Sequence, residues 1–348
     1  MNVLYGVQAT GNGHISRSRE IIRSLKRRGH HVTVILSGRD PALLWDMEDF
    51  EPYRVYRGLT FSTKQGRVQV FKTACRLNFL EFYRDILTFA ESDWEVVITD
   101  FEPVTARLAR RLNIPCIGIS HQYAFWYNIP KPGDHFFARK IIRHYAPVAI
   151  PVGLHWHHFD RPILPPVIPK PGKVQQETVP DKILVYLPFE EAGDIASFCR
   201  CFPDYRFCIY HKIHRRADEG NLHWRPYGRT GFLDDLASCS GVISNAGFEL
   251  ASEALSLGKK ILLKPVSGQM EQLSNAMAIS MLGLGAVMKR LNPDKVSDFL
   301  KNGRARRVRY PDTAERIAAW IEKGRWEDLD GLARECWENT EMDGVDVS

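Results

Sequence analysis

Two short segments carry residue types that could do chemistry together. In the C-terminal half, a strand-like run at residues 242–244 leads into Asn245, Ala246 and Gly247, then into a helix that starts near Phe248. Small residues at such a turn let a phosphate approach the free backbone N–H groups of the helix end, and the helix dipole favours the anion. Glu253 lies about two turns inside that helix. A carboxylate there can accept hydrogen bonds from both hydroxyls of a ribose. Glu271 and Gln272 precede the next helix, where their polar ends can reach sugar hydroxyls. In the N-terminal half, Thr10-Gly11-Asn12-Gly13-His14 follows the first strand. The two glycines permit a tight path, and His14 falls at the start of a helix. Imidazole suits proton transfer there because its pKa lies near neutrality. Each of these features also has a structural reading. A glycine at a strand-to-helix turn is ordinary, Glu249 and Glu253 could be solvated helix residues, and His14 could cap or pack its loop.

Other residues extend the two sites. His121 follows a strand ending at Ile119 and is a second proton acceptor or acceptor-binding residue. Arg17 could meet a phosphate or an anionic substrate, against a solvated helix face as the alternative. Asp100 closes the strand at residues 96–99, and as a favoured N-cap it could simply cap the helix after it. Glu102-Pro103 also fits that helix start. His155, His157 and His158 have no carboxylate or cysteine at ligand spacing, and packing beside Trp156 and Phe159 is favoured over a metal site. The basic run Lys301, Arg304, Arg306, Arg307 and Arg309 reads as a solvated face, with anionic lipid or a polyanionic acceptor as its alternative. Phe125, Trp126 and Tyr127 read as core, with an acceptor or membrane contact as the alternative.

Positioning these residues requires alternating strands and helices. Residues 3–7 form a short buried strand. Ile15, Ser18, Ile22 and Leu25 recur at helical spacing, and Gly29 ends that helix before a strand at residues 32–36. A βαβ start implies a parallel sheet. A helix at residues 71–87, a strand at 96–99, a helix at 103–112 and strands at 116–119 and 148–152 continue the domain. Residues 161–171 then contain five prolines, Pro162, Pro165, Pro166, Pro169 and Pro171. That excludes a helix or a central strand and reads as a stiff linker. Alternation restarts with strands at 183–187, 207–210, 242–244, 261–263 and 286–288, and helices at 293–300 and 313–321. The division is residues 1–155, a linker at 156–180, a second domain at 181–325 and a helical tail at 326–348. In open α/β sheets, ligands bind beyond the carboxyl ends of the strands, where both loops lie.

The totals agree. A chain of 348 residues accommodates two domains of about 150 each. A 44% apolar and 25% charged composition is that of a globular protein, and the net charge of +6 favours anionic ligands without marking a nucleic-acid binder. Seven cysteines with no C-x-x-C pair point to a reduced, cytoplasmic protein. No signal peptide or membrane span is evident, which leaves peripheral membrane contact open.

Taken in order, residues 232–276 resemble the donor-binding half of GT-B glycosyltransferases, in the branch that holds MurG and the UDP-glycosyltransferases. Phe232-Leu233-Asp234-Asp235-Leu236 is similar to the loop that packs around the nucleotide base. Gly247 and Glu253 match the spacing of the family's glycine and ribose-binding glutamate. Glu271-Gln272 and Asn275-Ala276 resemble its sugar-contacting pair and the helix that follows. There are departures. Asn245 stands where plant-type members have a diphosphate-contacting histidine, and Glu249 where they have an asparagine. Pro188-Phe189-Glu190-Glu191 replaces the glycine-rich phosphate loop of MurG. A carboxylate beside phosphates is unfavourable unless it points away or pairs. The Gly11–His14 loop resembles the acceptor-domain loop with a terminal histidine, and Asp100 occupies a place similar to the aspartate that orients it.

The resemblance implies two facing Rossmann-like α/β domains, with the acceptor bound along Gly11, Asn12 and Gly13, to which the reading of the residues themselves adds Arg17 and His121 as acceptor-side candidates. The donor would be bound by Phe232, Leu233, Asn245, Ala246, Gly247, Phe248, Glu253, Glu271 and Gln272. It implies transfer from a nucleoside diphosphate sugar, expected to be UDP-linked, to a glycan, lipid or small-molecule acceptor. His14 and Asp100 would form the catalytic pair, with inversion and neither a metal nor another cofactor. The rival expectations are a nucleotide-sugar epimerase or hydrolase, and a non-catalytic nucleotide-sugar-binding subunit.

Overall fold

The computed structural model describes residues 1–58, 63–64, 67–68, 86, 93–132, 136–170 and 177–343. In chain order the first half contributes strands β1 (Asn2–Gln8), β2 (His31–Ser37), β3 (Tyr53–Tyr56), β4 (Thr63–Lys64), β5 (Arg67–Val68), β6 (Val96–Asp100), β7 (Cys116–Ser120), β8 (Ile150–Leu154) and β9 (Ile163–Leu164). β4 and β5 pair with each other. The rest form a parallel sheet in the order β3-β2-β1-β6-β7-β8-β9. The expected helix at residues 71–87 lies outside the described residues except at residue 86.

The second half contributes β10 (Val179–Tyr186), β11 (Arg206–Tyr210), β12 (Ala217–Glu219), β13 (Leu222–Arg225), β14 (Cys239–Asn245), β15 (Lys260–Lys264) and β16 (Ala286–Val287). They form a sheet in the order β12-β13-β11-β10-β14-β15-β16, parallel except for the β12–β13 edge hairpin. The chain ends in helices Thr313–Lys323 and Leu329–Glu338, with β17 (Val308–Arg309) and β18 (Glu341–Met342) pairing antiparallel.

Each sheet is buried on both faces, so its central strands are continuous apolar runs rather than alternating ones. β1 from Val3 to Gln8 is buried throughout. Gly6 lets the helix Pro103–Leu112 lie directly on this strand, because a Cβ there would sit 2.0 Å from Thr105 Oγ1. Gly6→Ala is therefore expected to cost about 1–3 kcal/mol through overpacking, measurable as a lower urea midpoint at unchanged m-value.

The same helix has explicit start and stop signals. Both carboxylate oxygens of Glu102 accept from backbone amides, Val104 N and Thr105 N, each at 2.7 Å. Pro103 occupies the first turn, and Asn113 closes the helix in the left-handed region at φ 55°. The capping role belongs to Glu102, which frees Asp100 for other work.

Two local expectations change. The proline-rich stretch holds a short strand, β9, at the end of the first sheet. An edge position tolerates nearby prolines because only one side of the strand must pair. Residues 232–236, expected as a loop, lie within the helix Arg229–Ser238. The chain also returns to the first domain after the second sheet. Arg28 pairs with Glu315 and Glu322 on the helix Thr313–Lys323, and Trp337 Nε1 donates to Ile163 O at 2.6 Å. No helix among the described residues is long and apolar enough to cross a membrane.

Candidate active site

The carboxyl ends of β1, β6 and β7 supply one wall of the site, and those of β10 and β14 the other. Helix Asn12–Arg27 begins directly after the β1 loop, with Gly11 as its N-cap. His14 and Arg17 are three residues apart and share one helical face. At the end of β6, His14 Nδ1 lies 2.8 Å from Asp100 Oδ1. Asp100 is fully buried and also accepts from Arg17 Nε at 3.0 Å, Arg17 Nη2 at 2.7 Å and Ser18 Oγ at 3.0 Å. Burial alone would raise its pKa, but the charges and hydrogen bonds of Arg17 and His14 hold the carboxyl well below the usual range. The next residue, Phe101, has φ 53°, a backbone strain of the kind that collects at functional sites. The Nε2 atom of His14 has no protein partner among the described residues and is the free nitrogen of the pair.

The opposite wall is the end of β14 and the helix Phe248–Ser256. Gly247 is its N-cap, with no side-chain cap and open space where a Cβ would stand. The first amides of this helix therefore lack partners from their own helix or from a capping side chain. Asn245 is buried. Its Nδ2 donates to Lys264 O at 3.0 Å and lies 3.4 Å from Glu190 Oε1, while its Oδ1 has no partner among the described residues. Ala246 O accepts from Asn275 Nδ2 at 2.9 Å. Glu190 also pairs with Lys264, so the Pro188–Glu191 departure is tied into the sheet end. Glu249, which would repel a phosphate, pairs instead with Arg17 from the other wall. Gly13 makes room for it, since a Cβ there would lie 2.8 Å from Glu249 Cγ.

Glu253 is buried and accepts from Ser16 Oγ at 3.0 Å across the cleft. Burial is the main cause that pushes its pKa up to about 7, against the ordinary 4.5. A raised carboxyl pKa favours the fold while the group is protonated. That contribution is complete below pH 4.5 and is lost as pH rises through about 7. Relative to Glu253→Gln, the wild type is expected to lose about 3 kcal/mol of unfolding free energy across that window. Denaturant titrations of both proteins at several pH values check this, and parallel pH curves would contradict it.

The remaining expected residues divide. Glu271 Oε2 accepts from Gln122 Nε2 at 3.0 Å across the cleft. Gln272 is buried and its Oε1 accepts from Val266 N at 2.9 Å, so the amide oxygen is committed to its own loop. His121 is buried, with Nδ1 2.7 Å from Leu154 O and Nε2 2.7 Å from Asn275 Oδ1. Its ring stacks on Phe248 at 4.0 Å. Both nitrogens are occupied and burial lowers its pKa, so His121 and Phe248 join the two walls as packing. Phe232 packs against Tyr186 and Tyr210, with ring centroids at 5.6 and 4.9 Å, and Leu233 is half-buried on the same helix. Asn12 Nδ2 lies 3.5 Å from Tyr186 Oη and its Oδ1 accepts from Arg39 Nη1 at 2.9 Å.

The histidines at 155, 157 and 158 each accept a nearby backbone amide, from Trp156, Phe159 and Asp160. Among the described residues no group of three His, Cys, Asp or Glu side chains is placed to hold a metal ion. Sequence reasoning missed Ser16, Ser120 and Tyr186. It also missed the depth of Arg17, although the three-residue spacing from His14 was the available signal.

Comparison with known proteins gives this geometry a context. The sequence profile of glycosyl transferase family 1 matches residues 1–303. No curated protein matches the chain in sequence. Among solved structures, the chain is similar to the glycotransferase of kitacinnamycin at 18% identity, covering 96% of this chain and 94% of that one, with a TM-score of 0.54. It is similar to the Streptomyces sp. SF2575 glycosyltransferase SsfS6 complexed with thymidine diphosphate at 12% identity, 97% and 94% coverage and a TM-score of 0.52. It is also similar to Arabidopsis thaliana UGT89C1 complexed with UDP at 14% identity, 97% and 94% coverage and a TM-score of 0.55. At these identities the shared property is the fold, two parallel-sheet domains facing across a cleft. With the profile spanning most of its length and that fold around the cleft, the chain belongs to glycosyl transferase family 1 and is a glycosyltransferase of the GT-B type.

Proposed function

We propose that the protein transfers a sugar from a UDP-linked donor to an acceptor hydroxyl with inversion at the anomeric carbon and without a metal. The observation that carries this reading is the uncapped N-terminus of helix Phe248–Ser256, joined through Glu249 and Arg17 to the His14–Asp100 pair. The amides of Phe248, Glu249 and Leu250 receive the diphosphate, and Gly247 leaves room for it. Glu253 binds the ribose, whose hydroxyls replace the Ser16 hydroxyl that it now accepts. Phe232 and Leu233 flank the base, and Glu271 meets the sugar. The acceptor enters along Gly11, Asn12 and Gly13.

With Nδ1–H donated to Asp100, His14 Nε2 is bare and takes the acceptor's hydroxyl proton. The acceptor oxygen bonds to the anomeric carbon as the bond to the diphosphate oxygen breaks, and the diphosphate leaves with the electron pair. Helix amides aimed at that developing charge stabilise the transition state. The two similar structures solved with thymidine diphosphate and UDP support a nucleoside diphosphate donor.

Thermal shift with UDP and UDP-sugars tests the donor wall, because a ligand that binds only the native state raises apparent stability by about 2.7 kcal/mol at a hundredfold excess over Kd. UDP is expected to raise the wild-type Tm by several degrees and to leave Glu253→Ala nearly unmoved. Equal shifts in both would remove Glu253 from the donor site.

A further inference from the structure

We propose that Glu249, on the donor wall, acts through Arg17 as a positioning residue for His14, so that the proton acceptor is complete only when the two walls meet. This rests on the reading of His14 as the base. His14 Nδ1 faces two groups of opposite kind, the acceptor Asp100 Oδ1 at 2.8 Å and the donor Arg17 Nη2 at 3.1 Å. A guanidinium has no acceptor atom. If Arg17 wins, it donates to a bare Nδ1 and the ring proton moves to Nε2, the nitrogen that must stay bare. If Asp100 wins, Nδ1 keeps the proton and Nε2 is free. Arg17 Nη1 is bonded to Glu249 Oε1, Nε and Nη2 to Asp100. With all three anchored, the guanidinium is held on the carboxylates rather than on the imidazole.

Charge acts in the same direction. Arg17 and Asp100 alone cancel, which leaves little to stabilise an imidazolium. Adding Glu249 makes the cluster −1 while His14 is neutral, and zero once the proton arrives. The side chains of Arg17 and Glu249 are only 2% and 8% exposed, so solvent screens this weakly. Glu249 Oε2 has no hydrogen-bond partner among the described residues. Other titratable and polar groups also face the cluster. Burial raises the Tyr5 pKa and lowers that of His121, which also lies in the field of Glu271, while Ser18 and Ser120 are neutral.

The test needs no substrate. ¹⁵N NMR titration of His14 is compared in wild type, Glu249→Gln and Glu249→Asp. Glu249→Gln is expected to lower the His14 midpoint by on the order of one pH unit and to enrich the Nε2–H tautomer. Glu249→Asp, which keeps the charge, is expected to stay near wild type. In turnover with a UDP-sugar, kcat of Glu249→Gln is expected to fall about 10-fold with its acid limb moved to lower pH, and the donor KM to change less than about 2-fold. A folded Glu249→Gln protein with unchanged midpoint and tautomer overturns the proposal, as does an equal drop in Glu249→Asp. Should Glu249→Gln fail to fold, Glu249→Met carries the same titration. Failure of the base reading would appear separately, as a His14→Ala enzyme of undiminished rate.

Discussion

His14→Ala is expected to lower kcat by about 10²–10⁴-fold, the range a positioned general base supplies. That corresponds to roughly 3–5 kcal/mol of transition-state stabilisation. The expectation follows from geometry. Nδ1 is engaged by Asp100 at 2.8 Å, Nε2 is free, and the ring lies at the mouth of the cleft with 15% of its side chain exposed. Stability should change little, because the substitution removes a partly exposed ring while Asp100 keeps Arg17 and Ser18. UDP should still raise the Tm of the variant, since no donor contact is assigned to His14. Steady-state rates with a UDP-sugar and thermal shifts on the same protein separate the two effects. A variant within about 10-fold of wild type would leave His14 as a lining residue.

Asp100→Ala is expected to be the most damaging substitution for the fold, at about 3–5 kcal/mol. Asp100 is fully buried and neutralises a guanidinium that is itself buried. Removing the anion leaves Glu249 as the carboxylate paired with Arg17, and that partner belongs to the other wall. Urea unfolding measures the loss. The pH dependence has a definite sign. Because the native carboxyl is held below its ordinary value of 3.8, its contribution is complete above that pH and is lost as pH falls further. The wild-type advantage over Asp100→Asn should thus be level near neutrality and shrink below pH 3.8. An advantage that vanished at higher pH would mean that Asp100 is not the ionised partner of Arg17. Asp100→Asn should also lower activity, because its one acceptor oxygen is contested by Arg17 and Ser18 and its amide NH2 can donate to a bare Nδ1, which favours the proton on Nε2.

Much of this architecture was legible in local pattern. Apolar runs marked the buried strands, and the helix from Pro103 to Leu112 announced itself through Glu102-Pro103 and Asn113. The His14–Asp100 pairing was legible because both residues follow adjacent parallel strands, and the ends of adjacent parallel strands are neighbours in space. The misses have physical causes as well. Arg17 reads as a solvated arginine because long charged side chains on helices usually are. Two carboxylates far along the chain, Asp100 at a strand end and Glu249 on the other wall, make its burial tolerable. Gln272 and His121 have the right polarity for a site, yet their hydrogen bonds go to Val266 N, Leu154 O and Asn275. Nothing in side-chain type tells whether a polar group faces a ligand or its own backbone.

The linear order of residues thus dictated two αβ units, their parallel sheets and the loops that end at the cleft, since periodicity and capping are properties of neighbours in the chain. Folding alone determined how the walls meet. Ser16 and Glu253 are 237 residues apart, and Arg17 and Glu249 are 232 apart. Such pairs exist because two sheets face each other at one orientation, and that orientation comes from the packing of whole domains and from the C-terminal helices that cross back onto the first. No short-range rule encodes a contact of that kind, which is why the joining of Arg17 to Glu249 emerged only in three dimensions.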